Sequence, residues 1–77
     1  MRVTLYTRAG CGLCEKADAM LKRLQERARF ELDYVDLDSD AEAERRYWAR
    51  IPVVALDGEE VAAAPLDEKQ LAAILLR

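Results

Sequence analysis

The stretch VTLYTRAGCGLCEKA, residues 3–17, holds both cysteines of a 77-residue chain, Cys11 and Cys14, with two residues between them. Its first part, Val3-Thr4-Leu5-Tyr6, mixes β-branched, aromatic and aliphatic residues and reads as a strand. Arg8-Ala9-Gly10 then reads as a tight loop. From Cys11 onward the apolar residues Leu13, Ala17, Met20, Leu21, Leu24 and Ala28 recur at spacings of three and four, which predicts an amphipathic helix from residue 11 to about 29. The cysteines therefore stand where a strand hands over to a helix.

Working outward, residues 30–37 alternate apolar and acidic side chains and predict a second strand. Asp38-Ser39-Asp40 supplies capping residues for a short second helix through Trp48. Residues 53–56 predict a buried strand, and Asp57-Gly58 a hairpin turn into a short strand near residues 59–62. Pro65 ends that strand. Asp67 caps a last helix, 68–76, whose buried side is Leu71, Ala72, Ile74 and Leu75. The order β-α-β-α-β-β-α predicts an α/β fold, a four-stranded mixed sheet with helices on both faces. No repeat, linker or low-complexity tract interrupts it, so residues 1–77 read as a single domain.

Composition narrows the function classes. With 52% hydrophobic and 35% charged residues the chain is of ordinary globular type. The net charge of −3 comes from interspersed acids and bases, so no basic stripe exists for a phosphate backbone, and no nucleic-acid partner is expected. No apolar run is long enough to span a bilayer, and residues 1–7 lack the apolar core of a signal peptide, so the expectation is a cytoplasmic monomer without a membrane partner. Histidine is absent, which excludes a histidine-assisted thiol hydrolase and removes the commonest partner ligand for zinc.

A thiol at the first turn of a helix sits near unpaired backbone N–H groups at the positive end of the helix dipole. Such a site favours the thiolate, lowering a cysteine pKa from about 8.5 to between roughly 3.5 and 7.5. Cys14 lies one turn on, within disulfide reach, and Leu13, Ala17 and Met20 are expected to bury it. On this reading Cys11 attacks a substrate and Cys14 resolves the mixed disulfide. Gly10 and Gly12 add no side chain that would block the outer sulfur. Two other readings stay open: half of an iron–sulfur or zinc site completed across a dimer, and an inert pair in a module whose role is contact with a partner. Cytosolic context favours the redox couple, and no cofactor or metal is assigned.

LYTRAGCGLC at 5–14, followed by RIPVVALDGEEV at 50–61, resembles the glutaredoxins of the thioredoxin-fold family, and nearest among them short bacterial glutaredoxin-like proteins with a Gly-Cys-x-Leu-Cys site. The resemblance implies a thioredoxin/glutaredoxin-like fold and a thiol-disulfide oxidoreductase acting on protein or small-molecule disulfides. It implies that Cys11 and Cys14 are catalytic, and that Pro52 is a cis-proline opposite them, leaving the Ile51 backbone free to pair with a substrate strand. Gly12 and Leu13 occupy the variable pair between the cysteines, and Arg8 matches a basic residue directed toward glutathione. The segment that holds the glutathione carboxylate in such proteins is replaced here by residues 62–67, AAAPLD, so glutathione is a possible reductant whose binding motif is not matched. The resemblance implies glutathione or an enzyme of the thioredoxin-reductase type as electron donor, and the sequence does not say which. Trp48 and Tyr47 are expected to pack inside, and Arg45, Arg46 and Arg50 to form a solvated face, so none of the five is placed in the site.

Overall fold

A computed structural model describes residues 1–76. Four strands, β1 (Arg2–Thr7), β2 (Glu31–Asp36), β3 (Val53–Leu56) and β4 (Glu59–Ala63), alternate with the helices α1 (Gly12–Gln25), α2 (Ala41–Tyr47) and α3 (Glu68–Leu75) in the expected order. The sheet order is β2-β1-β3-β4, with β1 parallel to β2 and antiparallel to β3, and β3 antiparallel to β4.

Alternation along the strands divides the interior into two layers. Val3, Leu5 and Val54 face one side, where Ala17, Leu21 and Leu24 of α1 and Leu71 and Leu75 of α3 close over them. Val53 faces the other, with Ala43 and Tyr47 of α2, Leu37, and the partly buried Tyr6 and Val35. Because Cβ direction reverses at each strand residue, neighbours such as Val53 and Val54 serve opposite layers. The mixed α/β sheet with helices on both faces follows from that alternation.

Element ends differ from the sequence reading for local reasons. β2 starts after Phe30, whose carbonyl accepts the Gln25 side-chain amide at 2.9 Å, and stops at Asp36, whose carboxylate accepts the Asp38 N–H at 2.8 Å and opens a 3-10 turn at Leu37–Ser39. Asp40 then caps α2 by accepting the Ala43 N–H at 3.0 Å. α1 ends at Gln25 rather than near residue 29, because Glu26 and Arg27 turn their N–H groups to Arg23 and Leu24, three residues back. In the last helix Leu71 and Leu75 are buried, whereas Ala72 and Ile74 are only partly covered.

Two packing expectations are overturned. Trp48 is 64% exposed. On a helix as short as α2 the inward pair is Ala43 and Tyr47, four apart, and Trp48 lies a further 100° or so round the axis with Glu44. Leu13 is 59% exposed, because it stands about 100° round the axis from Cys14, at the edge of the buried stripe Cys14, Ala17, Leu21 and Leu24.

The Asp57-Gly58 turn has φ of 50° and 89°, the positive pair that a two-residue hairpin needs to match strand twist. Asp57 is also tied to the first strand: its N–H donates to the Arg2 carbonyl, and its carboxylate accepts the Arg2 N–H, both at 2.8 Å.

Candidate active site

β1 delivers the chain to the turn Arg8-Ala9-Gly10-Cys11, closed by the Cys11 N–H donating to the Arg8 carbonyl at 3.3 Å. Gly10 has φ of 77°, a left-handed conformation that costs other L-residues about 1–2 kcal/mol. A Cβ there would meet no atom within 4 Å, so the cost of Gly10→Ala is conformational alone. The expected result is a loss of about 1 kcal/mol in urea unfolding followed by far-ultraviolet circular dichroism.

Cys11 is not the first helical residue but the N-cap of α1, with extended backbone (φ −94°, ψ 102°). Its sulfur takes the place of a capping oxygen and accepts the Cys14 N–H at 3.1 Å. The same N–H, with the unpaired donors of the first turn, is placed to hold a thiolate once the pair is reduced. Cys11 and Cys14 are joined as a disulfide with their Cα atoms 5.2 Å apart. Cys14 is 2% exposed whereas Cys11 is partly exposed, so a reactant from solvent meets Cys11 first.

Beside the pair lies an apolar cleft of about 150 Å³, lined by Leu13, Lys16, Ala17 and Met20 of α1, by Pro52, and by Ala64, Pro65 and Leu66. Leu13 brings it to the cysteines. The Ile51–Pro52 peptide is cis, Pro52 is fully buried, and its carbonyl accepts the Ala64 N–H at 2.9 Å, which ties the two cleft-forming loops together. Ile51 belongs to no strand, and its side chain packs on the α2 side of the sheet. Gly12 is exposed, and a Cβ there would meet nothing within 4 Å.

The structure thus brings Leu13 and Pro52 into one cleft next to the cysteine pair. Arg8 lies elsewhere. It lines a separate depression with Leu37, Asp38, Ser39, Asp40, Ala41 and Glu44. Its Nε donates to Asp38 Oδ1 at 2.9 Å and its Nη2 to Glu44 Oε2. Partial desolvation works against the guanidinium charge, but hydrogen bonding and attraction from Asp38 and Glu44 outweigh it and raise the Arg8 pKa above its ordinary value. Nearby, burial and the neighbouring Tyr47 raise the pKa of Tyr6, whose ring stands 4.6 Å from that of Tyr47.

Ala64, Pro65 and Leu66 read in the sequence as a strand end and as part of the segment that replaces a glutathione-binding motif, not as walls of this cleft. The Ala64–Pro65 bond is also cis, and a sequence shows that a prolyl bond can take this form but not which one does. Among the described residues no group of three or more His, Cys, Asp or Glu side chains is placed to hold a metal ion, so a cluster at Cys11 would need ligands from elsewhere. Nor is any helix among them long and apolar enough to cross a membrane.

A four-stranded mixed sheet between two helical layers, with a disulfide-bonded cysteine pair heading the first helix and a cis-proline loop lining the cleft beside it, defines a thioredoxin-fold protein. The sequence matches the profile of the glutaredoxin-like domain (DUF836) over residues 2–76, and the chain belongs to that family. Among curated proteins it is 33% identical over 81 residues to uncharacterised proteins of Mycobacterium tuberculosis and Mycobacterium bovis, covering 99% of this chain and 84% of theirs. Among solved structures it is similar to a Nitrosomonas europaea protein solved by NMR (TM-score 0.80, 33% identity, 96% of this chain and 89% of the other). An X-ray structure of a protein from X. campestris is also similar (TM-score 0.77, 37% identity, 94% and 92%). A mutant thioredoxin from Halobacterium salinarum, 23% identical, shares the fold with a TM-score of 0.70 over 96% of this chain and 70% of its own.

Proposed function

We propose that the protein is a dithiol–disulfide oxidoreductase that reduces disulfides of proteins or small thiol compounds. The observation that supports this best is the asymmetry of the pair: a partly exposed Cys11 sulfur held by the Cys14 N–H, with Cys14 buried one turn behind it. In the reduced protein the Cys11 thiolate attacks one sulfur of a substrate disulfide. A Cys11–substrate disulfide forms, and the other substrate sulfur leaves as a thiolate that takes up a proton. Cys14, losing its proton, then attacks Cys11 Sγ, closes the internal disulfide and releases the second substrate thiol. Two electrons pass from protein to substrate. Glutathione or a reductase of the thioredoxin-reductase type restores the dithiol. Such a cycle suits the reducing cytoplasm, where an idle disulfide would not persist.

Leu13 and Pro52 line the substrate cleft on this reading, Gly12 leaves the approach to Cys11 open, and Ile51 offers its backbone. The apolar lining fits an uncharged side chain flanking a substrate cysteine.

The test is to equilibrate the protein in glutathione redox buffers, trap it with acid and weigh it intact. The expected result is a loss of two hydrogens with one midpoint, between about −200 and −270 mV, the span from glutaredoxins to thioredoxin. A stable adduct of one glutathione in place of the internal disulfide would overturn the dithiol mechanism and return attention to a cluster or zinc held through Cys11. No mass change at any potential would leave the cysteines without a redox role.

A further inference from the structure

Arg8 shares a turn with Cys11, yet its side chain is directed at α2 and the 3-10 turn before it. The edge of its guanidinium made by Nε and Nη2, the edge that grips a carboxylate with two parallel hydrogen bonds, is already taken by Asp38 and Glu44. One positive charge faces two negative ones, and Asp40 lines the same depression. The depression around Arg8 therefore carries net negative charge. Lys16, which rims the apolar cleft on α1, is a separate cation and stays the same in every comparison below.

We propose that Asp38 and Glu44 are positioning residues that set substrate choice: by holding Arg8 they remove its cation from use and turn the site toward neutral and cationic disulfides over anionic ones. The proposal rests on the oxidoreductase reading above. Arg8 and its partners are partly solvated, with side-chain exposures of 31%, 56% and 41%, so the discrimination is graded and sensitive to salt.

The experiment is a single turnover. Protein reduced beforehand and freed of reductant is mixed with glutathione disulfide (anionic), hydroxyethyl disulfide (neutral) or cystamine (cationic). Formation of the Cys11–Cys14 disulfide, matched by release of two substrate thiols, is followed by acid quench and intact mass. Dividing each rate by that of dithiothreitol with the same disulfide removes intrinsic reactivity. The expected order is cystamine, then hydroxyethyl disulfide, then glutathione disulfide, with a spread that shrinks as the screening length falls from about 10 Å at 0.1 M salt to about 3 Å at 1 M. Asp38→Asn with Glu44→Gln should raise the glutathione disulfide rate about five- to tenfold and leave hydroxyethyl disulfide within about twofold. Adding Arg8→Met to that pair should cancel the gain.

Glutathione disulfide reacting fastest in the unaltered protein would overturn the proposal, as would variants that shift all three rates equally. Even where a variant folds poorly, the salt series on the unaltered protein can overturn the proposal, because a spread that does not shrink with salt is not electrostatic. Failure of every disulfide to oxidise the protein is a different outcome, and it removes the oxidoreductase reading itself.

Discussion

Cys11→Ser protein should leave disulfide substrates at their uncatalysed rate, while Cys14→Ser protein should stop halfway with the substrate attached to Cys11. The difference follows from exposure. Removing Cys11 leaves only a sulfur that is 2% exposed, which a substrate disulfide cannot reach in line. Removing Cys14 leaves the nucleophile, its donor N–H from residue 14 and the open approach past Gly12 intact, and deletes only the thiol that displaces the substrate. Intact mass under non-reducing conditions reads both results. Full turnover in the Cys11→Ser variant would refute the assigned order of attack, as would equal adduct formation in the two variants.

Leu21→Asp should prevent folding altogether. Leu21 lies at the middle of α1 with no exposed surface, in the layer that holds Val3, Leu5, Val54 and Leu71. Truncating such a leucine to alanine costs about 2–5 kcal/mol, a large part of the roughly 5–15 kcal/mol by which a domain is stable. A carboxylate at that position meets no partner and carries a desolvation penalty on top. Circular dichroism should show loss of helix without denaturant, and Leu21→Ala should fold with an earlier urea midpoint and an unchanged slope. A cooperative transition in the Leu21→Asp protein would contradict the packing of α1 on the sheet.

Where one side chain type alternates cleanly with another, the sequence was enough. Val3, Leu5 and the leucines of α1 announce their layer, and the cysteine pair announces itself. Harder cases depended on what lies beneath a residue. Leu13 continues the apolar spacing of α1, and only the approach of Pro52 and residues 64–66, a tertiary fact, makes it a wall of the cleft. Trp48 was legible in principle: of the pairs Ala43/Tyr47 and Glu44/Trp48, the one with a carboxylate faces out, but the size of the indole pulls the eye inward. Arg8 could not be resolved at all. Its partners stand 30 and 36 residues away, and no local pattern shows that their carboxylates converge on it.

The outward tryptophan also governs how this molecule can be watched. It is the only indole in the chain, and in the folded protein it already stands largely in water. Emission from such a fluorophore has little distance to travel toward the red when the chain opens. A flat fluorescence trace through a melt is therefore silent about the leucine layers, and the backbone signal of the helices has to serve as witness instead.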